Sequence, residues 1–109
     1  MKKIFFFLLF IGISNAYAQN SLTGKITDTT DNPLLGVEIY SEQLHKGTTT
    51  DTDGNYNFNH IPNGKVTINF TFLGFKSISK DFVFNNENQT FNIKLEESVF
   101  KIDEINMII

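Results

Sequence analysis

Apolar and polar residues alternate along most of the chain beyond residue 20. The clearest case is the segment 65–72, in which every second residue is apolar: Val66, Ile68, Phe70 and Phe72. A period of two places such residues on one face of a β-strand. A shift of one residue would move all four into water, so the register of this strand is strongly fixed.

The same alternation predicts six further strands. They cover residues 21–28, 35–40, 48–50, 55–59, 78–84 and 90–95. Segments rich in Asp, Asn, Pro and Gly separate them and predict turns at 28–33, 51–54, 62–64 and 85–88. Short strands at this spacing, without a convincing helical period, are typical of an all-β sandwich.

The apolar faces of these strands together define a predicted core. Its members are Ile26, Val37, Ile39, Tyr56, Phe58, Val66, Ile68, Phe70, Phe72, Phe82, Phe84, Phe91, Ile93 and Leu95. Lys80 interrupts the pattern, which indicates either a β-bulge or an exposed sheet edge. The chain contains no Cys, so its stability must come from this core and from sheet hydrogen bonds.

The first eighteen residues follow a different pattern. A cationic start is followed by the apolar run Ile4–Ile13 and the small-x-small sequence Ala16–Ala18. This order predicts a secretory signal peptide cleaved between Ala18 and Gln19, and the alternative is a retained N-terminal anchor. No Cys follows the site to carry a lipid.

Removal of the signal peptide makes the chain more acidic. Loss of Lys2 and Lys3 lowers Lys+Arg from 9 to 7 against 12 Asp+Glu, so the net charge becomes 7 − 12 = −5. A chain of this charge without Arg is a poor candidate for binding nucleic acid, because phosphate neutralisation dominates that affinity.

Few residues suggest chemistry. His45 and His60 lie in or beside predicted turns without metal-ligand spacing, so we interpret them as exposed loop residues. The segment Asp51–Asn55 resembles the start of a calcium loop, but Pro62 occupies the position that requires a bidentate Glu. A hairpin turn is therefore favoured over a weak divalent site. We assign no catalytic, cofactor or metal residue and expect that the domain is not an enzyme.

Four segments together resemble the carboxypeptidase regulatory-like domain: Gly24–Asp28, Asn32–Ile39, Lys46–Phe58 and Leu73–Phe75. The resemblance implies a transthyretin-like, seven-stranded Greek-key β-sandwich, in agreement with the strand count. The motif residues Pro33, Gly36 and Gly54 fit turns and close approaches, so the motif specifies a fold rather than an activity.

The resemblance also implies a setting, because such domains precede the plug and barrel of TonB-dependent outer-membrane receptors in Bacteroidetes-like bacteria. The end of the chain is similar to the linker that runs into a TonB box. The residues that would bind a partner by strand addition are Asp103, Glu104, Ile105, Asn106, Met107, Ile108 and Ile109. The alternative is a last strand of the sandwich.

The expected organisation is therefore a signal peptide at 1–18, a sandwich at 19–96 and a linker or TonB-box-like tail at 97–109. The predicted function is a non-catalytic, exported interaction module of an outer-membrane uptake system, located in the periplasm or at the outer membrane, with TonB or a receptor barrel as possible partners. The alternative is a free-standing sandwich that binds a ligand or glycan through Tyr40 and Phe75.

Overall fold

The computed structural model describes residues 20–98, which form eight short β-strands. Their bounds are β1 Asn20–Thr27, β2 Glu38–Ser41, β3 Lys46–Thr49, β4 Asn55–Ile61, β5 Gly64–Thr71, β6 Ile78–Phe84, β7 Gln89–Thr90 and β8 Ile93–Lys94. No helix occurs among the described residues.

The strands form two sheets. The first has the order β4–β1–β7, with β8 also paired to β1, and the second has the order β3–β2–β5–β6. β7 and β8 run parallel to β1, and the other pairs are antiparallel. Because β7 and β8 come one after the other along the same side of β1, they count as one interrupted strand. The prediction of a seven-stranded β-sandwich is thereby confirmed.

Between β7 and β8, a side chain takes the place of one backbone hydrogen-bond acceptor. The Phe91 amide still donates to the Thr23 carbonyl oxygen at 2.8 Å. At the next step along β1, the Lys25 amide donates to Oδ1 of Asn92, also at 2.8 Å. An Asn side chain therefore takes the place of one backbone partner, and the ladder resumes at Ile26 and Ile93.

The core lies between the two sheets and closely follows the predicted pattern. The buried hydrophobic residues are Leu22, Ile26, Val37, Ile39, Tyr56, Phe58, Ile61, Val66, Ile68, Phe70, Phe82, Phe84, Ile93 and Leu95. The prediction was wrong for Phe72 and Phe91, which are only partly buried and pack against this cluster. Phe72 lies beyond the end of β5, and Phe91 lies in the interruption, so neighbouring strands do not enclose them.

The prediction of a strand from residue 35 was also wrong. β2 begins at Glu38, and the side chain of Leu35 is 57% exposed. Gly36 has a φ of 92°, a left-handed value outside the β region, so the extended alternation is broken before the strand begins. Leu35 therefore belongs to a loop, although its spacing to Val37 and Ile39 fits a strand.

Lys80 lies on an exposed edge rather than in a bulge. It belongs to β6, the outermost strand of its sheet, and β6 pairs with β5 without a register shift. The Lys80 ammonium group lies 5.5 Å from the ring centroid of Phe82 and 5.3 Å from that of Phe91. A Lys on an edge strand discourages edge-to-edge association, and here it also covers two aromatic rings.

One hydrogen bond crosses the first sheet from β4 to the segment between β7 and β8. The Tyr56 hydroxyl donates to the Phe91 carbonyl oxygen at 2.6 Å, and it reaches past Gly24 on β1. A Cβ on Gly24 would overlap that carbonyl oxygen and would lie 2.8 Å from the Tyr56 ring. The Phe91 ring then contacts Phe70 and Phe82 of the second sheet, at centroid separations of 5.9 and 5.4 Å. Burial raises the pKa of Tyr56 far above its ordinary value of 10.0, so the hydroxyl stays a donor.

Replacement of Tyr56 by Phe removes this hydrogen bond and keeps the ring. We expect Tyr56→Phe to lower the free energy of unfolding by about 1–2 kcal/mol, because the Phe91 carbonyl loses its donor in a partly buried setting. Urea unfolding followed by circular dichroism measures the change. Tyr40→Phe is the matched control, since the half-buried Tyr40 lies on the outer face of the second sheet. Equal losses in the two variants would contradict the assignment.

Candidate interaction surface

The motif segments of the resemblance meet at one end of the sandwich. The loops 28–37, 50–54 and 72–77 lie there, and the chain also leaves the sandwich there, at 95–98. Each of these segments follows or precedes a strand, and the pairing of these strands with one another places their adjoining ends side by side. We call this the motif end. It contains most of the polar residues that the sequence marks as candidates for chemistry.

Two turns at the motif end are closed by an Asp side chain. Oδ1 of Asp51 accepts hydrogen bonds from the amides of Asp53 and Asn55, both at 2.9 Å. Oδ1 of Asp28 accepts in the same way from the amides of Thr30 and Asn32, at 2.8 and 2.9 Å. Both carboxylates therefore hold the backbone of their own turn.

The turn at Asp51 is confirmed as tight, because the Gly54 amide donates to the Asp51 carbonyl oxygen at 2.9 Å. Its interpretation as a hairpin was wrong. The turn connects β3 of the second sheet to β4 of the first, and these strands are not paired with each other. Within residues 20–98, no group of three or more His, Cys, Asp or Glu side chains is close enough to hold a metal ion.

Thr50 ties the loop before β2 to the end of β3. Its buried hydroxyl donates to the Leu34 carbonyl oxygen at 2.6 Å and accepts from the Val37 amide at 2.9 Å. Backbone bonds join Thr50 to Gly36 and Val37 as well, each at 3.1 Å. Sequence reasoning missed this role, because a Thr at the end of a polar strand gives no signal of burial.

The two histidines are exposed, as predicted, and both have left-handed backbone conformations, with φ of 53° for His45 and 62° for His60. His60 lies in the irregular part of the β1–β4 pairing rather than in a turn. There the Lys46 ammonium donates to the carbonyl oxygens of Asn59 and His60, at 2.6 and 3.3 Å. This bond joins β3 of one sheet to β4 of the other.

The aromatic residues of the glycan alternative lie in different parts of the surface. Tyr40 is paired with Gly47 and Asn69 on the outer face of the second sheet. Phe75 lies in the turn after β5, where its ring packs against that of Phe72 at a centroid separation of 5.4 Å. The structure therefore does not bring Tyr40 and Phe75 together into one platform.

The motif end carries an exposed apolar surface. Leu73 is 95% exposed and Leu35 57% exposed, and the Phe72 ring lies 3.8 Å from the position that a Cβ on Gly36 would take. An open depression of about 530 Å³ adjoins them, lined by Gly36, Glu38, Thr49, Thr71, Phe72 and Leu73. Such neighbouring exposed apolar side chains are typical of an interaction surface.

The chain leaves the sandwich beside this surface. Glu97 forms an antiparallel bridge with Phe75, the Lys76 amide donates to the Glu96 carbonyl oxygen, and the Ser98 amide donates to that of Gly74, both at 2.8 Å. The predicted partner-binding residues Asp103–Ile109 and the predicted cleavage site at Ala18 and Gln19 lie outside the described residues.

The chain enters at the opposite end. The buried side chain of Asn20 donates to the Ile61 carbonyl oxygen at 2.8 Å and to Oδ1 of Asn63 at 3.0 Å, and it accepts from the Glu87 amide at 2.7 Å. Asn63 in turn accepts from the Asn86 amide at 2.8 Å. These contacts fasten the start of β1 to two turns, so entry and exit lie at opposite ends of the sandwich.

Comparison with known proteins identifies the class. A family model described as the CarboxypepD_reg-like domain matches residues 22–107, and the chain belongs to this family. The TonB-dependent receptor P3 of Formosa agariphila is 37% identical to it over 73 residues. That match covers 66% of this chain and 7% of the receptor, so the chain is similar to a small part of a much longer protein.

Solved structures share the sandwich. The Bacillus anthracis TIE protein is 26% identical, with a TM-score of 0.53 over 73% of this chain and 17% of its own. A backbone protein of group B streptococcus pilus 2b, 14% identical, gives 0.56 over 72% and 41%. The 3-chlorocatechol 1,2-dioxygenase of Rhodococcus opacus 1CP, 9% identical, gives 0.58 over 76% and 61%. The last two likenesses show the fold alone.

Among the described residues, no helix is long and apolar enough to cross a membrane.

The contribution of the Thr50 hydroxyl to stability can be tested by replacing Thr50 with Val, which has the same shape. Thr50→Val should lower the free energy of unfolding by about 1–3 kcal/mol, because it leaves the buried Val37 amide without its acceptor. Thr49→Val is the matched control, since Thr49 is exposed, and we expect a change within about 0.5 kcal/mol. Denaturant unfolding of both variants checks this. Similar losses at the two positions would be evidence against a specific role for Thr50.

The turn at Asp28 should make stability depend on pH. Hydrogen bonds, first from the Asn32 amide and then from Thr30, hold the pKa of Asp28 below its ordinary value of 3.8. A carboxyl whose pKa is lower in the folded state stabilises the fold above its unfolded pKa. This contribution is lost as the pH falls through the folded pKa. Urea unfolding between about pH 5 and pH 2 should therefore show a shallower fall for Asp28→Asn than for the wild type. Identical profiles would show that Asp28 contributes nothing.

Proposed function

We propose that this domain is a non-catalytic interaction module of the bacterial cell envelope, attached to or acting beside a TonB-dependent outer-membrane receptor. The observation that carries the proposal is the 37% identity to a short part of the TonB-dependent receptor P3. Membership of the CarboxypepD_reg-like family supports it. The signal-peptide pattern at residues 1–18 supports a location in the periplasm or at the outer membrane.

The use of the polar motif residues supports a non-catalytic role. Oδ1 of Asp28 and Oδ1 of Asp51 accept from backbone amides of their own turns, and the Thr50 hydroxyl bonds to the backbone of the loop before β2. A nucleophile or general base needs instead to face a substrate with a partner beside it. The residues that define the motif therefore act by fixing the loops of the motif end.

The entry and exit of the chain at opposite ends support a role as an adaptor. The eight residues of β1 span about 26 Å, and the chain passes from Asn20 at one end to Ser98 at the other. After cleavage at Ala18 the mature chain would begin at one end of the sandwich, and the segment that follows Ser98 leaves from the other end. The tail that continues from Ser98 contains the β-prone residues Ile105, Met107, Ile108 and Ile109, which suit strand addition to the sheet edge of a partner such as TonB.

Direct binding tests the tail. The chain from Gln19, tagged at its N-terminus, is titrated with the purified periplasmic domain of the host TonB protein and followed by calorimetry. We expect Ile105→Asp and Ile108→Asp to weaken binding by about tenfold or more, because each places a charge in the added strand. Asn106→Ser is the matched control and should bind like the parent.

Equal binding by all four chains would rule out the TonB-box interpretation of the tail. Recovery of the chain only in the cytoplasmic fraction of the host, with residues 1–18 still attached, would rule out the envelope location.

A further inference from the structure

We propose that the motif end binds a segment of a partner protein that carries basic and apolar side chains close together. The surface consists of the apolar residues Leu35, Phe72 and Leu73 and the carboxylates around them. This goes beyond the proposed function, because it concerns the motif end and not the tail, and it can fail while the titration with TonB succeeds.

The turn that presents Leu73 is held in one conformation. The Phe75 amide donates to the Phe72 carbonyl oxygen at 3.0 Å and closes the turn, in which Gly74 has a φ of 89°. The Ser98 amide donates to the Gly74 carbonyl oxygen at 2.8 Å, and the rings of Phe72 and Phe75 pack together. Leu73, almost fully exposed, is therefore displayed on a fixed backbone. A pre-organised side chain of this kind loses little conformational entropy on binding, which favours affinity.

The charges of the domain are distributed unevenly. The loops of the motif end, 28–37, 50–54, 72–77 and 95–98, contain six carboxylates and one lysine, so their net charge is −5. The rest of the described chain, residues 20–98, contains four carboxylates and five lysines, a net charge of +1. The motif end therefore attracts a cationic partner and repels an anionic one.

The lysines of the described chain neutralise only part of this charge. Lys76 forms an ion pair with Glu96 at 3.4 Å. Lys94, at the end of β8, forms a second with Asp31 at 2.9 Å. Neither pair includes any of the other four carboxylates of these loops, so a cation supplied by a partner has carboxylates available to it.

Two carboxylates adjoin the apolar side chains. Glu38 lines the depression together with Phe72 and Leu73. Glu97 forms a backbone bridge with Phe75, in the turn that presents Leu73. Both glutamates are exposed, and within the part of the chain that the structure describes neither forms an ion pair. Apolar and anionic groups are therefore combined on one surface.

The depression suits a basic side chain. Glu38 lies between Thr49 and Thr71 on neighbouring strands, so a carboxylate and two hydroxyls line an open volume of about 530 Å³. The Thr71 hydroxyl is 3.5 Å from Oε1 of Glu38, which is a long and weak hydrogen bond. An ammonium or guanidinium group would find stronger, charge-assisted hydrogen bonds there. An apolar neighbour on the same segment would contact Phe72 and Leu73.

The same charge disfavours other occupants of this surface. Nucleic acid and anionic lipid head groups would be repelled. A two-fold dimer through the motif end would bring together two identical surfaces, each with a net charge of −5 in its loops. A partner segment with both basic and apolar side chains satisfies both features of the surface.

A peptide titration of the chain from Gln19 to Ile109 tests the proposal. The probe is a short synthetic peptide in which Lys and Leu alternate, and binding is followed by NMR at the amides of residues 35–38 and 72–75. We expect saturable shifts, with a dissociation constant at least about fivefold lower than for peptides that alternate Lys with Ser or Glu with Leu. The first comparison removes the apolar groups of the probe, and the second reverses its charge.

Variants of the domain locate the binding site. Leu73→Ser should weaken binding of the Lys–Leu peptide by about fivefold or more, because it removes the exposed apolar contact. Val83→Ser is its matched control, since Val83 is also exposed, at 67%, toward the opposite end of the same sheet.

A pair of double variants tests the charge. Glu38→Gln combined with Glu97→Gln should weaken binding and reduce its dependence on salt. Glu42→Gln combined with Glu87→Gln is the matched control, because it removes the same charge from exposed residues outside the motif end. This control should bind like the parent.

Equal weakening by the two double variants would overturn the proposal, because binding would then follow net charge alone. Unchanged binding by Leu73→Ser would overturn it as well. So would shifts at residues 72–75 that depend on the concentration of the domain without peptide, since these would assign the surface to a second copy of the chain. All substituted side chains are exposed, so the shifts of the β5 amides should stay unaltered and show that each variant is folded.

Discussion

The hydrogen bond from Tyr56 to the Phe91 carbonyl, made across the bare backbone of Gly24, is the constraint on which the sandwich depends. It joins β4, β1 and the interruption between β7 and β8. It also fixes the Phe91 ring against Phe70 and Phe82 of the facing sheet. Gly24 is required here for space rather than for a left-handed conformation. A side chain at this position would separate the first sheet from its last strand.

The motif that defines the family is explained by backbone geometry. Asp28 and Asp51 close their own turns, Thr50 ties two loops together, and Gly54 lies in the turn by which the chain passes from β3 of the second sheet to β4 of the first. These contacts hold the backbone of the loops at the motif end in place. The same sandwich therefore occurs in proteins as different as a pilus component and a dioxygenase, because the fold itself carries no activity.

The two ends of the described sandwich differ in character. The Asn20 contacts close one end where the chain enters, whereas the motif end is apolar at Leu35, Phe72 and Leu73 and lies beside the exit at Ser98. The edge strand β6 is protected by Lys80, which covers two rings instead of facing a neighbour. Under the proposed function, association would therefore involve the motif end rather than this edge.

The sequence by itself determined the fold class, most of the core and the turn positions, because a period of two leaves one choice of buried face for each strand. It also determined that His45 and His60 are exposed. Only the tertiary structure decided that the chain changes sheet at the Asp51 turn and that Leu35 is exposed. It also decided that Leu22 and Ile61 are buried and that Thr50 is a buried anchor. These features depend on which strands become neighbours and on single φ angles such as that of Gly36. An alternating pattern does not encode them, since it describes each strand alone.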